Sequence, residues 1–188
     1  MRKILLGSFL ILLVPLAAMA QPDYPRAEVF GGYSYFRANP DEFNLHGWNA
    51  SVAVNINEWL GVEGDFSGHY GSPSYYGFSI PYTDISSLTY MAGPKLTYRA
   101  GSVAPFAHFL IGGARAATSA YGVSLSDTAL AAAVGGGIDI QVSEHVAIRA
   151  VQADYLMTRF ETGPAILFSG FDDRQNNFRL SAGIVFRF

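Results

Sequence analysis

Apolar and polar residues alternate along this chain for a strand's length at a time, block after block. In GWNASVAVNIN (47–57), Trp48, Ala50, Val52, Val54 and Ile56 fall on one face, and Asn49, Ser51, Ala53 and Asn55 on the other. Side chains of a strand point alternately to its two faces, so a sustained period of two specifies a β-strand with one apolar and one polar side. In residues 27–37, Val29, Gly31, Tyr33 and Tyr35 oppose Glu28, Gly32 and Ser34; in 60–70, Leu60, Val62, Phe66 and Tyr70 oppose Glu63, Asp65, Ser67 and His69. Strands are likewise expected over 85–98, 104–116, 129–142, 146–160 and 177–188, eight in all. The last is the most regular: Phe178, Leu180, Ala182, Ile184, Phe186 and Phe188 against Asn177, Arg179, Ser181, Gly183 and Arg187.

One strand breaks the pattern. In 146–160, Arg149 has the opposite parity to Gln152 and Asp154, so a regular strand cannot hold all three on one face. A β-bulge near Ala150 and Val151 restores them to a common side, because one extra residue shifts parity. The connections also follow a rule. Those after the second, fourth and sixth strands are short, and those after the first, third, fifth and seventh read as long, the longest being GSPSYYGFSIPYTD and ETGPAILFSGFDDRQN. Strict short–long alternation with an even strand count fits an up-and-down barrel with short periplasmic turns and long extracellular loops.

The apolar stripe must then face lipid and the polar stripe a packed interior, the reverse of a soluble barrel. Composition agrees. Half the residues are hydrophobic and only 14% are charged, against about 25% in average chains. Trp59, Tyr98, Phe186 and Phe188 lie near the short-turn rim, and Tyr33, Tyr35, Trp48, Phe66, Tyr70 and Phe178 near the other, as expected of two interfacial girdles. At the start, Arg2 and Lys3 precede the apolar run ILLGSFLILLVPL and the small residues of Ala-Met-Ala at 18–20. This is the pattern of a cleaved secretory signal. The expected organisation is a signal peptide (1–20), a short periplasmic lead (21–26) and the barrel (27–188). Loss of Arg2 and Lys3 leaves 10 basic residues against 15 acidic, a net charge of −5, with no basic patch for nucleic acid. Without cysteine the chain has no disulfide, thiolate metal site, thiol nucleophile or lipoprotein attachment point.

The segments EVFGGYSYFR, YMAGPKLTYR, PFAHFLIGGA and AVGGGIDIQV, with the terminal aromatic strand, resemble the small eight-stranded outer-membrane barrels of the OmpA and opacity type. The resemblance covers nearly the whole mature chain. It implies an all-β fold, a closed eight-stranded antiparallel transmembrane barrel in the bacterial outer membrane. It also implies partners: outer-membrane lipid and lipopolysaccharide, periplasmic chaperones and the barrel-assembly machinery. The terminal stripe of Phe178, Leu180, Ile184, Phe186 and Phe188 is similar to the signal that this machinery reads. The sequence ends with the barrel, so wall anchoring through a C-terminal peptidoglycan-binding domain is not carried over.

The polar face concentrates charge toward the periplasmic half, and buried charges must be paired. Asp139 and Arg149 are equidistant from Glu144 at the turn, so they should face each other across the hairpin. Barrel closure brings Glu28 beside Arg187, and Glu63 and Lys95 lie on neighbouring strands. A lumenal network of Glu28, Glu63, Lys95, Asp139, Arg149 and Arg187 is therefore expected. An eight-stranded lumen is about wide enough for side chains alone, which favours a plug over the alternative of a narrow, low-conductance pore.

Catalysis needs a nucleophile beside a positioned base, and the histidines do not supply one. His46 and His145 fall at opposite ends. His69 shares a face with Asp65 and Ser67 but points parallel to them, and His108 reads as packed in the lumen. No catalytic residue, metal site or cofactor is expected. Asp41, Glu42, Asp172 and Asp173 read as solvated loop acids, the alternative being a divalent-cation bridge to lipopolysaccharide. Tyr75, Tyr76, Phe78 and Tyr82, and Ile166, Leu167, Phe168 and Phe171, make the long loops apolar. Such exposed clusters often mark contact sites; the sequence does not name their ligand. The expected role is structural or surface-interacting, with a lipid-modifying enzyme the weakest alternative.

Overall fold

The computed structural model describes residues 24–38, 43–71, 74–75, 78–79, 83–120, 123–159 and 174–188. The leader expected at 1–20 lies outside them, as do Asp41, Glu42, Tyr76, Tyr82, Ile166, Leu167, Phe168, Phe171, Asp172 and Asp173. Eight strands form one closed barrel: β1 (Ala27–Ala38), β2 (Phe43–Asn55), β3 (Leu60–Gly71), β4 (Thr83–Thr97), β5 (Val103–Ala120), β6 (Val123–Gln141), β7 (Val146–Arg159) and β8 (Arg174–Arg187). Every strand pairs antiparallel with its chain neighbours, and β8 returns to pair with β1. The seam is tied at its end: the Phe188 carbonyl accepts from Arg26 N (2.6 Å) and Ala27 N (3.1 Å), while Phe188 N donates to the Ala27 carbonyl at 2.8 Å.

Side chains follow the alternation. Tyr33, Trp48, Val52, Val54, Val62, Phe66, Leu88, Tyr90, Phe109, Ile111, Val134 and Tyr155 are exposed on the outer wall, and Glu28, Asn49, Glu63, Asp65, Lys95, His108 and Arg179 are buried in the lumen. β7 carries the expected bulge. Opposite β6, Val151 pairs with Ile138 and Arg149 with Asp139, so Ala150 is the extra residue. Ala150 and Val151 both face out, and Arg149, Gln152 and Asp154 are all buried inside.

The short turns have local causes. Asn57 Oδ1 accepts from Trp59 N (2.9 Å) and Leu60 N (2.8 Å), a side chain standing in for backbone in the β2–β3 turn. Between β4 and β5, Ala100 and Val103 exchange hydrogen bonds around Gly101 and Ser102. Gly101 has φ of 61°, the left-handed conformation a two-residue hairpin demands. On the outer wall, glycine at 113 makes room for Tyr90, whose ring lies where a Cβ would be.

The long connections differ from expectation at three places. β5 and β6 run for 18 and 19 residues and pair up to Ala120 and Val123, so most of the expected loop after β5 is a tall hairpin. β2 starts at Phe43, which leaves four residues between β1 and β2. A separate two-stranded hairpin, Ser74–Tyr75 with Phe78–Ser79, stands between β3 and β4.

Candidate functional site: the lumen

The lumen holds its charges in one half, toward the short turns. At that mouth Glu28 collects three cations: Lys95 Nζ at 2.8 Å on Oε2, and Arg99 Nη2 at 3.1 Å and Arg187 Nε at 3.9 Å on Oε1. Arg99 also donates to the Glu58 carbonyl and lies 5.9 Å from the Tyr24 ring, so it straps the mouth.

Next inward, Arg149 grips Asp139 with two parallel bonds, Nε to Oδ1 at 2.8 Å and Nη2 to Oδ2 at 3.0 Å, and donates to Gln152 at 2.7 Å. Its guanidinium lies 4.2 Å and 4.3 Å from the ring centres of Phe30 and Phe106. Aromatic faces attract a cation that has left water.

The centre is a chain of alternating charge. His108 bridges Glu63 Oε2 through Nδ1 and Asp154 Oδ1 through Nε2, both at 2.8 Å. Asp154 accepts from Arg179 Nε at 2.8 Å and from Gln152 at 2.8 Å. Arg179 donates in turn to Asp65 at 2.7 Å, and Asp65 accepts from Asn49 at 2.7 Å. All of these groups are buried. A half-satisfied buried network is worse than an apolar core, and here each carboxylate has at least one ionic or hydrogen-bonded partner.

Glycines on β6 make this possible. His108 and Asp154 both stand opposite Gly135 in register, one on each side. A Cβ on Gly135 would fall 2.1 Å from Asp154 Oδ1, so the missing side chain is the space in which imidazole and carboxylate meet. Gly137 does the same for the Phe106 ring.

Toward the long hairpins polarity falls away. Ser67 and Thr89 share a bond at 2.6 Å, and His69 Nε2 meets Ser34 Oγ at 2.8 Å with its ring against Phe36. Beside and beyond them Phe36, Leu45, Met91, Leu110, Ala114, Ala131, Ala133 and Leu156 form one buried apolar cluster. The interior is thus ionic toward the short turns and crossed by an apolar layer toward the long hairpins, where Thr158 and Asn177 are buried polar residues beside it.

Of the residues singled out from sequence, Asp139 and Arg149 stand face to face, and Glu28 is in register with Arg187. Glu63 and Lys95 are not each other's partners. In register Glu63 faces Gly93 and Lys95 faces Gly61; Lys95 crosses the lumen to Glu28, and Glu63 is held by His108, with Arg149 at 3.9 Å. Sequence reasoning missed Asp65, Arg99, His108, Gln152, Asp154 and Arg179 as members. The signal was the inward parity of Asp65, Gln152 and Asp154 around glycines that leave them room. Ser67 and His69 point to different partners, as parallel neighbours must. His46 is on the outer wall, where it bonds to the Tyr33 hydroxyl, and His145 lies exposed in the β6–β7 turn. Phe178, Ile184, Phe186 and Phe188 are exposed on the outer wall, with Leu180 half-exposed. Tyr75 and Phe78 pair in the small hairpin. Among the described residues, no group of three or more His, Asp or Glu is arranged to hold a metal ion.

Comparison with known proteins gives the same architecture. Residues 6–186 match the family profile described as outer membrane protein beta-barrel domain. No curated protein sequence matches the chain. Among solved structures, it is similar to Ail, the attachment invasion locus protein of Yersinia pestis (21% identity, 87% of this chain and 99% of that one, TM-score 0.55). It is also similar to Neisserial surface protein A (17% identity, 89% and 100%, TM-score 0.64). A further Ail structure, with a TM-score of 0.54 at 22% identity over 85% of this chain and 97% of that one, is a complex with the heparin analogue sucrose octasulfate.

Proposed function

Since the chain belongs to the outer membrane protein β-barrel family, we propose that it acts as a structural, surface-interacting barrel of the outer membrane with a sealed lumen and no catalysis. The observation that carries this reading is the interior itself. Side chains fill it from the Glu28 cluster to the apolar cluster around Leu110. Ions crossing it would have to break buried pairs at one end and enter an oily layer at the other, both costly. The test is a planar-bilayer recording on purified protein. No steady conductance is expected; reproducible single-channel steps would favour the narrow pore.

In this reading the leader is cleaved near residue 20, the short turns face the periplasm and the long hairpins face outward, where contact with lipopolysaccharide and external ligands takes place. The names of the similar proteins, an attachment protein and a surface protein, and the sulfated saccharide bound to one of them, support a surface-contact role. The exposed stripe of Phe178, Leu180, Ile184, Phe186 and Phe188 serves as the assembly signal, delivered by chaperones to the assembly machinery. Phe188 also fastens the seam through its backbone. Deletion of Phe188 should lower the fraction of chain that reaches a heat-modifiable, membrane-inserted form; unchanged assembly would remove this assignment.

A further inference from the structure

Among the described residues, cations crowd together at the short-turn mouth. Lys95, Arg99 and Arg187 converge on the single carboxylate of Glu28. Of the other buried acids, Asp139 is held by both arms of Arg149. These three cations are largely out of water: the side chain of Lys95 is 1% exposed, that of Arg187 10% and that of Arg99 16%. Uncompensated charge in such a setting is costly unless an opposite charge or solvent answers it.

The donors are also underused. Arg99 spends Nη1 on the Glu58 carbonyl and Nη2 on Glu28, and its buried Nε has no partner. Arg187 comes no nearer to Glu28 than 3.9 Å through Nε, and its side chain makes no hydrogen bond among the described residues. On the same inward row as Lys95 and Arg99, buried Thr97 Oγ1 has no partner either. In the central network cations and acids interleave instead, His108 between Glu63 and Asp154 and Arg179 between Asp154 and Asp65.

We propose that this mouth is a binding site for a small oxyanion of the phosphate or sulfate class, taken up on the free edges of the Arg99 and Arg187 guanidiniums with Lys95 behind them. Guanidinium forks match the geometry of tetrahedral oxyanions, and charge-assisted bonds of this kind are about twice as strong as neutral ones. The partial exposure of the two arginines gives the anion its way in, while Lys95 supplies charge from the buried side. The site is independent of whether the lumen conducts, since it occupies one mouth only.

The test uses the protein refolded in a non-ionic, sugar-headgroup detergent, free of any phosphate-bearing lipid, with 15N-labelled arginine. Inorganic phosphate is titrated against chloride at matched ionic strength, and the Arg Nε–H resonances are followed. Saturable shifts at Arg99 and Arg187 with phosphate, with Arg179 unmoved, are expected. Arg187→Gln and Arg99→Gln should each weaken the apparent affinity about tenfold or more, the weight of one charge-assisted bond. Folding of each is checked by heat-modifiable gel mobility. If Arg187→Gln does not fold, Arg99, which lies on the turn, carries the test. Shifts that follow chloride as well as phosphate, shifts spread equally to Arg179, or affinity unchanged in a folded variant would overturn the site.

Discussion

The two halves of the lumen solve the same packing problem with opposite chemistry. Near the short turns, long charged side chains from six strands fill the space and are held by direction-dependent bonds, such as the Arg149–Asp139 fork and the His108 bridge. Near the long hairpins, Phe36, Leu45, Met91, Leu110 and Leu156 fill it among alanines, with shape alone to fit them. The difference teaches where each half is vulnerable. An ionic interior fails when one partner is removed, because the others stay charged and dry. An apolar interior fails in proportion to the volume lost.

Four experiments separate these cases, each read as the urea dependence of unfolding in detergent micelles. Arg179→Ala should cost the most, about 3–5 kcal/mol, because Asp65 and Asp154 both lose a buried partner. A loss under about 1 kcal/mol would mean that the centre is wetter than its burial implies. Leu110→Ala should cost about 3 kcal/mol, the usual consequence of a cavity among side chains that cannot collapse into it. Gly135→Ala should cost about 2 kcal/mol by overpacking, and it should displace Asp154 from His108, seen as a shift of the His108 ring resonances. Smallest of all should be the coupling between Arg179→Ala and Leu110→Ala, within about 0.5 kcal/mol of additivity if the halves are separate. A larger coupling would show that the ionic and apolar layers support each other.

The outer wall was legible in the sequence and the inner wall only partly so, for a physical reason. Lipid imposes one demand on every outward residue, so alternation alone places Val52, Tyr90 and Phe186 outside, and the parity conflict between Arg149 and Gln152 locates the bulge at Ala150. Inside, partners are chosen in three dimensions. Asp139 and Arg149 pair across a hairpin, and counting from the turn finds them. Lys95 and Glu28 belong to strands three places apart and meet only by spanning the lumen, so neighbour logic sent Lys95 to Glu63 instead. The His108 bridge depends on Gly135, and a glycine reads in sequence as a weak strand position when here it is the space for its neighbours' side chains. The tall β5–β6 hairpin was read as a loop because TSAYGVSLSD (118–127) carries no apolar stripe of period two to mark a strand.

The bond between Arg179 and Asp65 joins residues 114 positions apart, and this has a consequence for closure. Asp65 stands on β3 and Asp154 on β7, and the guanidinium between them belongs to β8. A barrel of seven strands therefore has an open seam and, at its heart, two acids still waiting for their common cation. The last strand neutralises the interior in the same movement that shuts the wall, so the chain has little to gain from halting one strand short.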